Sequence, residues 1–214
     1  LVKELVNFLN IKGEYVFPSM NKPRLENLLD KTISSQEAPF SGITTLAQNL
    51  VYQRVFEKGY KVLLGGQGGD EILAGYRKFF LVALTESFHK KNYLSAVGNL
   101  ISIFIMLFYE LRHTRVYISN SDRYFGKKES SFKLLNWRSN RLNLLENSQS
   151  LKSRQIDDIH KWSIPTLLRT EDRNSMGHSI ESRLPFMDFR LVEFGIALPS
   201  IFKIKNGYNK WILR

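Results

Sequence analysis

The stretch that decides the fold is residues 61–76, KVLLGGQGGDEILAGY. Its opening run, KVLL, has no polar alternation, which is typical of a parallel strand buried on both faces. Four glycines around one glutamine come next: Gly65, Gly66, Gly68 and Gly69. A tight turn needs one or two glycines. This segment predicts a backbone that comes unusually close to something else, because glycine permits both positive φ and close approach.

Two carboxylates, Asp70 and Glu71, follow the glycines directly. If a helix begins at DEILAGY, the preceding N–H groups form a concavity that attracts phosphate. Asp70 then becomes a candidate Mg²⁺ ligand, because Mg²⁺ usually takes one or two carboxylates together with phosphate oxygens. In the alternative interpretation both acids only favour the helix N-terminus electrostatically. The segment is not a Walker loop, because no Gly-Lys-Ser/Thr follows it.

The flanking sequence predicts an α/β fold, with part of an open parallel sheet, flanking helices and a mostly helical remainder. Helical spacing occurs at residues 1–10, 24–33 and 44–59, with Gly59 suited to end the last helix. The β-rich run EYVF (14–17) predicts a short strand. Ligands of such sheets bind beyond the carboxyl ends of strands, where the glycines lie. Residues 100–109, LISIFIMLFY, predict a buried helix about half as long as a membrane span.

Composition changes predict three regions along the chain: 1–82 with the α/β part, 83–163 as a helical insertion or layer, and 164–214 with the second dense group of motifs. The sequence opens on Leu1 within a helical pattern and closes on NKWILR without a helix stop signal. We therefore expect it to be part of a longer protein.

The bulk composition limits the chemistry. The 214 residues contain no cysteine, which excludes disulfides, thiolate metal sites and a cysteine nucleophile within this chain and favours a reducing compartment. The formal charge of +11 fits a polyanionic partner such as a nucleotide, nucleic acid or acidic membrane surface. The Lys and Arg residues are scattered, however, which favours the alternative of a solvated basic surface.

A second group of charged residues lies among apolar ones near residues 171–190. It consists of Glu171, Asp172, Arg173, His178, Glu181, Arg183, Asp188 and Arg190. Structural ion pairs and a functional site are both compatible with this spacing. Pro185 and Phe186 predict an ordered turn. The four histidines are too scattered for a metal site, and no G-x-S-x-G elbow is present.

LLGGQGGDEILAGYRKF, then EDRNSMGHSIESRLPFMDFRLVEF, then NGYNKWILR resemble the synthetase domain of glutamine-dependent asparagine synthetases. The family reads S-G-E-G-x-D-E-x-x-x-G-Y, D-R-x-S-M-x-x-S-x-E-x-R-x-P-F-x-D and K-x-x-L-R. It belongs to the ATP-pyrophosphatase superfamily, whose fold is adenine nucleotide alpha hydrolase-like. The resemblance covers most of residues 1–82 and 164–214.

The resemblance implies an ATP- and Mg²⁺-dependent ligase of the cytoplasm. ATP adenylates the β-carboxylate of aspartate and releases pyrophosphate, and ammonia derived from glutamine then gives asparagine and AMP. An N-terminal glutaminase domain is expected in the parent chain, and a homodimer is compatible with the resemblance. It implies no membrane partner and requires no nucleic acid.

The resemblance also assigns residues. Gly65, Gly66, Gly68 and Gly69 match the nucleotide-binding segment, Asp70 the Mg²⁺ ligand, and Gln67 a family Glu close to the substrate; Ser41, Thr44 and Thr45 match the aspartate-binding segment. Asp172, Glu181 and Arg183 match positions that hold the second motif in shape. As an amide, Gln67 can hydrogen-bond but cannot act as a carboxylate base. Gly65 replaces the family's usual Ser and lacks its hydroxyl contact.

Parts of the family pattern are absent from this sequence: the S-G-G-x-D-S motif, the glutaminase domain and a Lys-containing segment expected beyond Arg214. We therefore expect this chain alone to be inactive. Related amidotransferases that act on a sugar, a peptide or a β-lactam precursor are an alternative. A non-catalytic remnant or nucleic-acid-binding module is another.

Overall fold

A computed structural model describes residues 2–18, 21–40, 42–110 and 150–214. The chain forms two compact units, one from residues 1–66 and 165–185 and the other from residues 67–164 and 186–214. The division at residues 82 and 163 stays a prediction. Its middle region is helical where it is described, and residues 111–149 lie outside the described part.

The elements alternate between helices and very short strands. In chain order they are α1 (Val2–Phe8), α2 (Lys22–Gln36), α3 (Ile43–Glu57), β1 (Val62–Leu64), α4 (Gly69–Ile72), α5 (Lys78–His89), α6 (Tyr93–Glu110), α7 (Leu151–Asp157), a π-helical turn (Asp158–Trp162), α8 (Ile164–Met176), β2 (Glu181–Arg183), a 3₁₀ turn (Pro185–Met187), α9 (Phe189–Ala197), α10 (Ser200–Lys203), β3 (Ile204–Lys205), β4 (Tyr208–Asn209) and a 3₁₀ turn (Trp211–Leu213). The described residues are therefore mostly helical with small sheets, which is compatible with an α/β domain.

The helices predicted in the first unit are confirmed. Pro23 lies in the first turn of α2, where a missing N–H leaves no hydrogen bond unmade. Gly59 follows α3 with φ +78°, the left-handed conformation that suits a glycine just beyond a helix. In contrast, residues 14–17 form no strand, so that prediction is wrong. A β-rich composition is insufficient there because a strand also requires a partner for its backbone groups.

The predicted strand at KVLL is confirmed as β1, which pairs in parallel with β2 through Leu63 opposite Ser182. The parallel sheet has two strands in the described residues, which is less than the open sheet predicted. Burial on both faces is wrong, because Val62 is 43% and Leu64 is 69% exposed. The apolar run therefore specifies the strand, but the described residues do not cover it.

In the second unit, α5 and α6 pack against each other over one hydrophobic core. Its buried members are Ala74, Phe79, Phe80, Val82, Ala83, Leu151 and Ile204. The predicted helix at residues 100–109 is confirmed within α6, but its burial is one-sided: Ser102 is buried, whereas Phe104 and Phe108 are exposed. No helix among the described residues is both long and apolar enough to cross a membrane.

Candidate functional site

The glycine segment leads from β1 into α4. Gly68 precedes α4 with φ +93°, a conformation that residues with a Cβ rarely adopt. The helix predicted for DEILAGY is confirmed only at its start, because α4 ends at Ile72 and Ala74 takes a positive φ of 54°. A four-residue helix has little dipole, so helix-dipole attraction of phosphate carries no argument here.

Different features of the structure explain why each of the four positions is a glycine. A Cβ on Gly65 would lie 2.6 Å from both Glu171 Oε1 and Leu184 Cδ2, and a Cβ on Gly68 would overlap Met187 Sδ. Packing within the protein therefore explains these two. A Cβ on Gly69 would make only ordinary contacts with Phe186, and one on Gly66 would meet nothing within 4 Å. The open space beside the chain lies at Gly66.

Backbone donors remain available at this turn. Gly65 N–H donates to Arg183 O across the strand pair, 2.8 Å away. In the described part of the chain, the N–H groups of Gly66 and Gln67 have no protein acceptor. Gly66 is exposed and Gln67 is half-buried. These N–H groups are therefore free to bind water or an anionic ligand.

Asp70 lies in α4 with its carboxylate folded toward Gly75. Gly75 N–H donates to the backbone carbonyl oxygen of Asp70 at 2.7 Å. A Cβ on Gly75 would overlap the carboxylate oxygen Asp70 Oδ1. Lys210 Nζ approaches the same oxygen at 3.0 Å, and the two side chains are 33% (Lys210) and 41% (Asp70) exposed. The geometry therefore presents a partly exposed carboxylate with an ammonium beside it.

The neighbouring carboxylate, Glu71, is buried and has a structural environment. Its Oε1 accepts hydrogen bonds from the Tyr76 hydroxyl at 2.7 Å and from the Ser163 hydroxyl at 2.5 Å. Burial, and then the bond to this carboxylate, raises the pKa of Tyr76 well above its ordinary value. Tyr76 therefore stays protonated and continues to donate. Adjacent Asp70 and Glu71 thus have different environments, one partly exposed and one satisfied inside the protein.

The donor set limits what metal could bind. Among the described residues, no three His, Cys, Asp or Glu side chains gather into a group that could hold a metal ion. Asp70 by itself does not make a protein-only metal site. It does fit Mg²⁺ that arrives with phosphate oxygens, because such ions need only one or two protein carboxylates.

In the first unit, Glu171 is the centre of a buried hydrogen-bond network. It is 3% exposed and accepts from Tyr52 at 2.9 Å, Ser182 at 2.6 Å and Gln48 at 3.3 Å. Burial raises the pKa of Tyr52 above its ordinary value. The hydrogen bond to Ser182 opposes this shift but is the smaller effect. Since Ser182 lies in β2 and Tyr52 in α3, Glu171 ties the strand pair to the helices around it.

A second buried network lies beside the first. The Asn174 side chain accepts from Gln36 at 3.0 Å and Asn49 at 3.2 Å and donates to Thr45 O at 3.1 Å and Gln48 Oε1 at 3.0 Å. In the described part, Gln36 Oε1 is the buried side-chain atom without a hydrogen-bond partner. These amides cross-link α2, α3 and α8 through groups that are otherwise costly to bury.

The residues predicted to bind aspartate differ in position. Thr44 is exposed, Thr45 is 3% exposed, and Ser41 lies outside the described residues. Their role stays a prediction, as do the roles of Gln67 and the glycines.

The remaining charged residues of the second motif are mostly structural. Glu181 and Arg183 form an exposed ion pair at 2.8 Å on β2. Asp188 caps α9 by accepting from Arg190 N–H at 3.0 Å, and its bond to the Arg190 guanidinium lowers the Asp188 pKa to about 2. The turn predicted at Pro185 and Phe186 is confirmed as a 3₁₀ turn.

His178 contacts Asn49 Oδ1 at 3.1 Å. Burial, helped by Lys31, lowers the pKa of this histidine. This environment is typical of a packing histidine.

Sequence reasoning missed several residues at these positions. Lys210 lies in the quoted K-x-x-L-R match, so the motif itself was the available signal, although it gave no contact partner. Glu171 was one of many charged residues, and only burial distinguishes it. Gln155 and Lys203, which are both buried, had no sequence signal at all.

Comparisons with known proteins agree with these motifs. The chain matches the family model described as asparagine synthase over residues 11–214. It is 37% identical over 60 residues to asparagine synthetase [glutamine-hydrolyzing] 1 of Bacillus subtilis (strain 168), covering 28% of this chain and 10% of that protein. It is 45% identical over 53 residues to asparagine synthetase [glutamine-hydrolyzing] 3 of the same organism, covering 25% of this chain and 9% of that protein.

No solved structure matches the chain. The matched stretches span about a tenth of the length of either curated relative. The family model, by comparison, covers nearly the whole chain, and both the glycine segment and the second motif lie within it. This chain therefore belongs to the asparagine synthase family.

Proposed function

We propose that this chain is part of the synthetase domain of a glutamine-dependent asparagine synthetase. The intact enzyme activates the β-carboxylate of aspartate with ATP, releases pyrophosphate and transfers ammonia to give asparagine and AMP. Membership of the asparagine synthase family supports this proposal. One observation connects the proposal to particular residues: the open turn at Gly66 and Gln67 lies just before the partly exposed Asp70. In the described part of the chain, the N–H groups of this turn have no protein acceptor.

The residues fit a nucleotide that carries its own metal. Gly66 leaves space beside the backbone, and the free N–H groups suit phosphate oxygens. Asp70 would hold Mg²⁺ through its carboxylate, and that ion would neutralise phosphate charge as pyrophosphate leaves. Lys210, next to Asp70, would add a second positive charge. Gly65 and Gly68 keep the turn in its shape around these groups.

Substrate recognition is proposed on the remaining predicted residues. Gln67 is half-buried beside the open turn and would orient the substrate by hydrogen bonding, because an amide cannot serve as a general base. Thr44, Thr45 and Ser41 would contact aspartate. The acceptor distinguishes this proposal from its rivals: a sugar, peptide or β-lactam precursor in place of aspartate would indicate a related amidotransferase.

The test uses the full-length gene product. Pyrophosphate release and AMP formation are measured with MgATP, with and without aspartate, and with glutamine or ammonium as nitrogen source. We expect release that depends on aspartate and is lost in Asp70→Asn, while Asp30→Asn, an exposed aspartate on α2, keeps the parental rate. Release that ignores aspartate, or that persists in Asp70→Asn, would contradict the substrate or the metal assignment respectively. No release with any acceptor, together with tight and salt-sensitive RNA binding, would favour the nucleic-acid-binding alternative.

A further inference from the structure

Lys203, at the end of α10, is buried, and the part of the chain that the structure describes gives it no carboxylate partner. It is 1% exposed, and its ammonium donates to Gln155 Oε1 at 2.7 Å and to Ile196 O at 3.3 Å. Among the described residues, no Asp or Glu oxygen lies within ion-pair distance of it. Burying an ammonium that has only neutral partners is unfavourable. A lysine at such a place calls for an explanation other than stability.

Gln155 connects this lysine to α4. The Gln155 side chain is fully buried, and its Nε2 donates to Glu71 O and to Ile72 O, each at 2.7 Å. These carbonyls belong to the last two residues of α4, where a helix leaves its acceptors without partners. Lys203 holds the other end of the same amide, so its charge fixes which way the amide faces. With Lys203 on Oε1, both N–H groups of Gln155 must point to α4.

The consequence is a rigid attachment of the element that carries Asp70. Because α4 is only four residues long, its own hydrogen bonds cannot hold it in place. Glu71 is anchored through its side chain by Tyr76 and Ser163, whereas the Asp70 side chain is partly exposed and contacts Lys210, whose side chain is also partly exposed. The attachment of two α4 carbonyls to Gln155 therefore acts together with the Gly75 N–H bond to Asp70 O in holding the backbone that carries Asp70.

We propose that Gln155 and Lys203 are positioning residues that hold the carbonyl end of α4, so that Asp70 and the glycine turn before it keep one orientation for the incoming nucleotide. This inference rests on the proposed function for its meaning in catalysis. The mechanical part, namely that this pair orders residues 66–76, stands on the distances alone and is tested without substrate.

The protonation state of Lys203 affects its hydrogen bond with Gln155. Burial lowers its pKa to about 8, with Glu86 on α5 opposing this shift and Lys152 on α7 adding to it. Ile196 O on α9 is a neutral acceptor. Near neutral pH the ammonium form prevails and the orientation of Gln155 is fixed. At higher pH a neutral amine could also accept a hydrogen bond, so the amide loses its enforced direction.

Two variants separate the halves of this arrangement. Gln155→Glu keeps a partner for Lys203 and gives it an opposite charge, but an ionised Glu cannot donate to Glu71 O or Ile72 O. Lys203→Met keeps the volume and the Gln155 donors but removes the charge that orients them. Lys161→Met makes the same chemical change at an exposed lysine, and serves as the matched control.

Hydrogen–deuterium exchange of the ligand-free, full-length protein gives the primary measurement. Within residues 66–76, we expect exchange of the hydrogen-bonded amides of Ile72, Leu73 and Gly75 to accelerate about tenfold in Gln155→Glu and in Lys203→Met, which corresponds to the loss of one or two buried hydrogen bonds. Exchange in α2 and α3 should stay unchanged, and so should all exchange in Lys161→Met. Faster exchange spread evenly over the protein, or parental exchange at residues 66–76, overturns the proposal.

A pH series and a kinetic series complete the test. The parental protein should show faster exchange at residues 66–76 above pH 8, after correction for the intrinsic pH dependence of exchange, and Lys203→Met should lack this change. In pyrophosphate release, both variants should raise KM for MgATP about tenfold and leave KM for aspartate unchanged. If the parental protein releases no pyrophosphate, the proposed function fails while the exchange result still decides the positioning role.

Discussion

Lys210 Nζ lies 3.0 Å from Asp70 Oδ1, although the two residues are far apart in the sequence. Both side chains reach solvent in part, so the pair is not a buried structural salt bridge. Lys210 itself takes a left-handed backbone conformation, with φ +50°, at the start of a 3₁₀ turn. A residue with a Cβ is uncommon in that conformation and costs some backbone strain. The contact therefore fits a functional role better than a stabilising one.

The first prediction separates these roles. Lys210→Met should reduce aspartate-dependent pyrophosphate release about a hundredfold, because a cation beside the phosphates stabilises developing negative charge. The free energy of unfolding should fall by about 1 kcal/mol or less, since the ion pair is partly exposed. Steady-state kinetics and urea unfolding of the same preparation check both. A large loss of stability with parental kinetics would show that Lys210 is structural.

The second prediction distinguishes the glycine that faces open space from one that the fold requires. Gly66→Ala should leave the free energy of unfolding unchanged or raise it by about 0.5 kcal/mol, because φ is not positive and nothing lies within 4 Å of the added Cβ. It should weaken MgATP binding. Gly68→Ala should lower the free energy of unfolding by about 2 kcal/mol through its positive φ and the overlap with Met187. Urea unfolding and equilibrium nucleotide binding measure the two effects, and equal behaviour of the two variants would contradict the distinction.

The third prediction concerns the buried carboxylate of the first unit. Glu171→Ala should lower the free energy of unfolding by about 3 kcal/mol, because the hydroxyls of Tyr52 and Ser182 lose their acceptor inside the protein. Glu181→Gln is the matched control, since the Glu181 side chain is 59% exposed and forms an exposed ion pair with Arg183; its effect should stay below about 1 kcal/mol. Denaturant unfolding of both variants decides the point. Similar small effects would mean that Glu171 is not the centre of a stabilising network.

The fourth prediction follows from the buried ammonium of Lys203. Its pKa is lowered to about 8 by burial, whereas the unfolded chain keeps the ordinary value of 10.5. Between these values the unfolded state binds more protons, so the free energy of unfolding contributed by Lys203 rises with pH and gains about 3 kcal/mol over the whole interval. The raised pKa values of Tyr52 and Tyr76 act in the opposite direction above pH 10. The clean window is therefore pH 8 to 10.

The measurement for that prediction is a difference between two proteins. Urea unfolding of the parental protein and of Lys203→Met is followed at several pH values from 7 to 10. As the pH increases, the free energy of unfolding of the parental protein should rise relative to that of Lys203→Met. The reason is that only the parental protein loses the energetic cost of a buried charge when Lys203 is deprotonated. A difference that stays constant with pH would indicate that Lys203 keeps an ordinary pKa in the folded protein.

Local patterns in the sequence predicted much of the secondary structure. Apolar spacing identified α1, α2 and α3, a glycine marked the end of α3, and KVLL identified β1. The patterns failed where the outcome depends on a neighbour that local sequence does not specify. EYVF has the composition of a strand and no partner strand, and α6 has an apolar face that the described residues leave exposed.

By itself, the sequence determined the family, the helices with clear periodicity and the glycine segment before Asp70, because these are recorded in contiguous residues. Only the tertiary structure decided which polar groups meet: Asp70 with Lys210, Glu171 with Tyr52 and Ser182, and Gln155 with the end of α4. The same carboxylate or amide is hydrogen-bonded inside the protein or exposed to solvent according to burial and to partners distant in the chain. Adjacent Asp70 and Glu71 illustrate the difference, since neighbouring positions in one short helix place one carboxylate toward solvent and the other inside the protein.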